Sequence, residues 1–157
     1  MAKRTSGLKP LWKKNDVNKL FKNLGDRAEW HINQTLQLTG EEFVKAARLS
    51  GNYEDRSGNL RSSIGYVIVR NGRILGRNFE LADKGTDRQT GKREGEQLAM
   101  DLVKTFNTGY VLIGVAGMKY AVFVEAMESY DVLTNAANKA EDIIKQQGEL
   151  LFKRLGV

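Results

Sequence analysis

The sequence predicts an α+β fold, with long helices at both ends of the chain packed on a small, mainly antiparallel sheet that includes a β-hairpin. Three observations predict it. Apolar residues recur at three- and four-residue steps from Val17 to Leu36, and again from Ala136 to Leu155. Asn71-Gly72 stands between two runs of strand-forming residues, the strongest short signal for a two-residue hairpin turn. Finally, YVLIGV at 110–115 is a continuous apolar run of strand length.

The first helix begins near Asp16, a plausible N-cap. Val17, Leu20, Phe21, Leu24, Ala28, Ile32 and Leu36 follow on one face. At about 1.5 Å per residue this helix is roughly 30 Å or more long. TGEE at 39–42 kinks it or ends it and caps a second one, with Phe43, Val44 and Ala47 continuing the apolar face as far as Gly51 and Asn52. Gly58 and Asn59 tolerate positive φ and allow a sharp turn. If one helical turn follows, Leu60 and Ile64 face the core together and Arg61 is left outside. Residues 66–70 and 73–79 are the two strands of the hairpin.

ELADKGTDRQTGKREGEQ, 80–97, is polar and punctuated by glycine, as a loop is. Leu98, Leu102, Val103 and Phe106 then mark a short amphipathic helix. The run 110–115 has the pattern of a strand buried on both faces. MKYAVFVEAM, 118–127, suits a short helix with Tyr120, Phe123, Val124 and Met127 inward, and its β-branched and aromatic content also allows a strand. From Leu133 onward the stripe Ala136, Ala137, Ala140, Ile144, Leu151 and Leu155 is helical. Glu141–Lys145 and Glu149–Lys153 stand in the favourable i,i+4 order, and Gly148 weakens the helix locally.

Composition bounds the function. A chain of 157 residues, 41% hydrophobic and 28% charged, is an ordinary globular protein with room for one good core. The division read from the sequence is a basic flexible arm, residues 1–14, and a single α+β domain, residues 15–157. Without cysteine there is no disulfide framework or thiolate zinc site, and with His31 as the lone histidine there is no multi-histidine metal centre. No apolar run approaches the roughly 20 residues of a membrane span, and the N-terminus lacks a secretory h-region. The net charge of +6 raises the question of nucleic acid. Lys3, Arg4, Lys9, Lys13 and Lys14 form an acid-free arm, and Arg70, Arg73, Arg77, Arg88, Lys92 and Arg93 surround the hairpin and the loop after it. Such clusters suit phosphate contact, docking on an acidic neighbour, or plain solvation.

Chemistry-bearing motifs are missing. GTDRQTGKR, 85–93, has five residues between its glycines and Arg93 after Lys92, so it fails the phosphate-loop pattern and reads as a flexible basic loop. His31 has the setting of a surface or boundary residue. Ser57, Ser62 and Ser63 have no candidate base nearby in sequence. Glu41, Glu42, Glu54 and Asp55 are adjacent pairs at helix starts and loops, which suits helix dipoles and solvation. No cofactor, metal or enzymatic activity is expected.

DRSGNLRSSI, 55–64, resembles the RTGNLRxSI signature of tailed-bacteriophage neck and tail-completion proteins, the lambdoid minor-tail family. YAVFVE at 120–125 resembles that family's YAxxVE element and precedes the last helix in the same order. The resemblance spans about residues 16–155, with two close blocks. It departs where AMESYDVL replaces a glycine and proline-phenylalanine continuation, and where 80–106 is longer than the family's connection. The resemblance implies a virion structural protein assembled in the host cytoplasm: a ring at the head–tail junction, of six subunits by analogy with the family, contacting connector or stopper and tail-tube proteins, with DNA passing through its lumen. On this reading the interface residues are Leu11, Trp12, Lys13, Lys14, Arg56, Arg61, Tyr120 and Glu125. The alternative is a basic nucleic-acid-binding module using the arm and the Arg70–Arg93 region.

Overall fold

The computed structural model describes residues 12–49, 54–118 and 133–155. Its elements are helix α1 (Lys14–Leu49), helix α2 (Asn59–Ser63), strand β1 (Ile64–Arg70), strand β2 (Arg73–Phe79), helix α3 (Arg88–Val103), strand β3 (Tyr110–Ala116) and helix α4 (Thr134–Leu155). The three strands form one antiparallel sheet in the order β2-β1-β3, so the fold is α+β as the sequence predicts. The chain divides into two compact units, residues 1–33 and 34–157.

The described part of the first unit is the start of α1. The helix begins two residues before Asp16, with the Lys13 carbonyl accepting the Asp16 and Val17 amides at 3.0 and 3.3 Å. Asp16 therefore lies inside the first turn, where its charge complements the helix dipole rather than capping the chain. Within the apolar stripe, Val17, Ala28 and Ile32 are half-buried, while Leu20, Phe21 and Leu24 are exposed. Trp30 meets His31 edge-on, with ring centroids 4.9 Å apart.

In the second unit β1 is the central strand and is buried along nearly its whole length. One face of the sheet packs Val67, Val69, Phe79, Ile113 and Val115 against Ala99 and Val103 of α3. On the other face, the end of α1 brings Gly40 against the Tyr66 ring and Phe43 against Gly114. Ala136 and Ala140 of α4 are buried, and Lys139 bonds Glu42 of α1 at 2.9 Å. That lysine holds the Glu42 carboxyl below its usual range. The Glu141–Lys145 pair forms at 2.7 Å on α4.

Several expectations need correction. TGEE does not end α1 or cap a second helix, because α1 continues to Leu49. The Thr39 hydroxyl donates to the Thr35 carbonyl at 2.7 Å, and a Cβ at Gly40 would stand 2.6 Å from Cγ of Tyr66. Packing against the sheet thus requires glycine there and outweighs its poor helix propensity. The loop expected over 80–97 ends at Asp87, because α3 starts at Arg88. Its buried line is Gly91, Gly95, Ala99 and Val103, not Leu98 and Phe106, which remain partly exposed. Small residues at four-residue steps let α3 approach α2, a signal that apolar bulk does not carry. The strand 110–115 is not buried on both faces: β3 is an edge strand, and the doubly covered one is β1. Ala137 and Ile144, assigned to the inward stripe of α4, are exposed. The 118–127 segment lies outside the described residues except for Met118.

The hairpin follows its sequence signal. Asn71 and Gly72 have φ of 50° and 76°, as a type I′ turn requires. The Asn71 amide donates to the Gly109 carbonyl at 2.9 Å, and its side-chain oxygen accepts the Gly109 amide at 2.8 Å, which ties the turn to the start of β3. A β-bulge places Leu75 opposite no residue of β1.

Candidate assembly interface

The segment Asp55–Ile64 folds into a hydrogen-bonded corner between α2, the sheet and α3. Gly58 has φ of 74°, a left-handed conformation that favours glycine. Side chains around it replace missing backbone partners. The Asp55 carboxylate accepts the Arg61 amide at 2.8 Å, and Ser57 Oγ accepts the Asn59 amide at 3.2 Å, so the start of α2 is satisfied from outside the helix. Ser62 Oγ donates to the Gly58 carbonyl at 2.6 Å and accepts the Ala82 amide at 2.9 Å. Leu60 and Ile64 are almost wholly buried, at 1% and 0% exposure, so the expected pair of core anchors is present.

Asn59 joins this corner to α3. Its side-chain oxygen accepts the Gly91 amide at 2.8 Å, while its amide group reaches Asp87 at 3.5 Å. Asp87 caps α3 by accepting the Thr90 amide at 3.3 Å, and its contacts with Thr90 hold its carboxyl below the usual range. A Cβ at Gly91 would lie 2.6 Å from Cα of Asn59, and one at Gly95 would lie 2.9 Å from the Ser63 carbonyl carbon. Two helix backbones touch here. The 85–93 segment is therefore neither a phosphate loop nor a flexible basic loop; it turns into α3 and locks against the corner. Asn59, Asp87, Gly91 and Gly95 were not singled out as site residues, although the four-residue spacing of Gly91, Gly95 and Ala99 was present in the sequence.

The predicted interface residues fall in separate places. Trp12, Lys13 and Lys14 are exposed at the start of α1, with Trp12 at 67%. Lys14 already belongs to the helix, so the arm as drawn overlaps it by one residue. Arg56 is exposed on the corner and pairs with Glu54 at 3.0 Å. Arg61 is half-buried and lines a groove of about 580 Å³ with Lys45, Arg48, Glu80, Asp83 and Lys84. Four of those six side chains are cationic. Arg48 is braced there by the Glu80 carbonyl at 2.6 Å and the Glu80 carboxylate at 3.5 Å. Leu11, Tyr120 and Glu125 lie outside the described residues, as do residues 1–10 of the arm.

A second polar cluster sits on the α1 face of the sheet. The buried Tyr66 hydroxyl donates to Glu41 Oε1 at 2.8 Å, and Asn78 donates to both Glu41 oxygens at 3.0 and 3.2 Å. Burial, and then the bond to the Glu41 carboxylate, push the Tyr66 hydroxyl well above the usual tyrosine range. The cluster clamps α1 to the hairpin. Among the described residues, no group of three or more His, Asp or Glu is arranged to hold a metal ion, and no helix is long and apolar enough to cross a membrane. No protein-family model, curated protein or solved structure matches the chain.

Proposed function

We propose that this chain is a virion structural protein of a tailed bacteriophage, a neck or tail-completion component that forms a ring at the head–tail junction. The carrying observation is the Asp55–Ile64 corner, whose sequence resembles that family's signature. Its apolar and small polar residues are consumed internally, while Arg56 and Arg61 keep access to solvent. A rigid corner that presents arginines suits contact between subunits, where arginine is enriched. The start of α1 adds support: Trp12, Leu20, Phe21 and Trp30 are all more than half exposed. Large apolar side chains in that number suit anchoring on a neighbour. Closed rings arise from head-to-tail contacts whose rotation closes, and lysines around such anchors steer approach to acidic partners.

The second reading, a nucleic-acid-binding module, draws on Arg73 and Arg77, which are exposed on β2. It loses two of its cations to internal roles: Arg70 lies 5.2 Å from the Tyr110 ring centroid, and Arg88 donates to the Ala82 carbonyl at 2.8 Å. Two measurements separate the readings. The ring reading expects native mass spectrometry to find species well above twice the 17.6 kDa chain. It also expects Arg56→Ala with Arg61→Ala to fold but fail to join heads to tails in a phage complementation assay. Wild-type infectivity of that double variant, with steeply salt-dependent duplex binding by the isolated chain, would overturn it in favour of the second reading.

A further inference from the structure

The two outer edges of the sheet are unlike. β2 carries a bulge at Leu75 and exposed Arg73 and Arg77, features that discourage a further strand from pairing. β3 has neither. Its register with β1 runs unbroken from Tyr110↔Arg70 to Ala116↔Ile64, and its seven residues include no charge and no proline. The flanking bonds fix which backbone groups look outward. Gly117 donates to the Ser63 carbonyl and Asn71 to the Gly109 carbonyl, so the pairs that exchange hydrogen bonds recur at every second residue between them. Val111, Ile113 and Val115 spend their amides and carbonyls on β1. Tyr110, Leu112, Gly114 and Ala116 aim theirs away, where no strand among the described residues receives them.

Beside this edge lies an apolar groove of about 430 Å³, bounded by Phe43, Leu112, Gly114, Ala137, Ala140 and Ile144. The charged groups at its margin, Glu141 and Lys145, already neutralise each other. We propose that the β3 edge pairs antiparallel with the β3 edge of a second copy of this chain, about a two-fold axis at Ile113. That register alone engages all four outward-facing residues. It sets Leu112 opposite Gly114 of the other copy and Tyr110 opposite its Ala116, and forms about eight N–H···O bonds between the chains. The cross-strand fit is self-complementary: Phe43 already covers Gly114, so each Leu112 comes to the apolar groove beside that ring in the other copy, and the symmetry repeats this once. Charge at the edge does not oppose the same occupant. Two chains of net charge +6 repel each other, but a charge-free strand beside a neutralised rim opposes no like charges. The same neutrality offers nothing to a phosphate backbone. The pairing is independent of the neck reading and specifies contact between two copies within whatever larger assembly they enter.

The test uses the full chain, with native mass spectrometry on dilution and amide hydrogen exchange. Wild type should be a dimer, or an even-numbered oligomer that dissociates through dimers. The Leu112 and Gly114 amides should be as protected as those of Ile113 and Val115. Leu112→Lys places a charge on the edge and should weaken the dimer by at least roughly tenfold, leaving a folded chain in which the Leu112-position and Gly114 amides exchange freely. A wild-type monomer, dissociation directly to monomers, or an unaltered dimer in the variant overturns the pairing. So does protection of Leu112 and Gly114 in a monomer, which would assign the edge to a segment of the same chain. If Leu112→Lys fails to fold, the wild-type exchange pattern still decides. Absence of any species above the dimer counts against the ring alone.

Discussion

Replacing Gly91 by alanine should destabilise the protein, although alanine is the better helix former. In an open helix position the substitution gains up to about 1 kcal/mol. At Gly91 the new methyl would stand 2.6 Å from Cα of Asn59 and closer still to its carbonyl oxygen, where ordinary carbon contacts are about 3.5–4.0 Å. Both obstacles are backbone, so no side chain can swing aside and α3 must move away from α2 by about 1 Å. Overpacking of this kind costs about 1–3 kcal/mol, and the shift also stretches the Gly91 amide bond to Asn59, worth about 1 kcal/mol. After subtracting the gain in helix propensity, the expected net loss is about 1–3 kcal/mol, a fall in Tm of roughly 3–10 °C for a chain of this size. Gly148→Ala on α4 is the internal control, because nothing lies within 4 Å of the added methyl. It should stabilise by up to about 1 kcal/mol. Urea titrations at constant m-value measure both. Shifts of the same sign would show that propensity rules at both sites and that α2 and α3 do not touch as described.

The remaining predictions concern the corner, the hairpin and the buried tyrosine. Leu60→Ala empties a site that is 1% exposed and should cost about 2–5 kcal/mol; an unchanged melting curve would remove Leu60 from the core. Gly72→Val forces a β-branched residue to a φ of 76° and should lower Tm, whereas wild-type stability would mean that the strands are joined through a different turn. Tyr66 has its hydroxyl pKa raised in the folded chain from an ordinary value of 10.0. Above pH 10 the unfolded chain therefore releases a proton that the folded chain keeps, and stability falls as pH rises. Tyr66→Phe should flatten that alkaline slope, and one of the five tyrosines should resist ionisation in an ultraviolet titration of the folded protein. A slope unchanged in Tyr66→Phe would assign the alkaline loss to other groups.

Local rules made much of this chain legible. Asn71-Gly72 announced its turn because two positive-φ residues leave few alternatives, and the periodicity from Leu133 announced α4. Leu60 and Ile64 were readable as core anchors because their spacing on one helical turn already puts them on one face. Strand order was not legible. The most apolar run became an edge, and the central place went to Ile64–Arg70, because burial of a strand depends on its neighbours as well as its own side chains. The candidate site was readable in part: the arginines of the corner could be named, but not the internal work of the residues around them.

By itself the sequence determined the fold class, the hairpin and the corner's anchors, all of which follow from spacings of a few residues. Tertiary structure decided the rest. TGEE stayed helical because Gly40 lets the Tyr66 ring lie against α1. The glycines at 91 and 95 entered a helix because only glycine allows the α2 backbone so close. Propensity is summed along the chain at up to about 1 kcal/mol per residue, while close approach between elements brings in contacts from residues tens of positions away, and where the two disagree in this protein the contacts prevail.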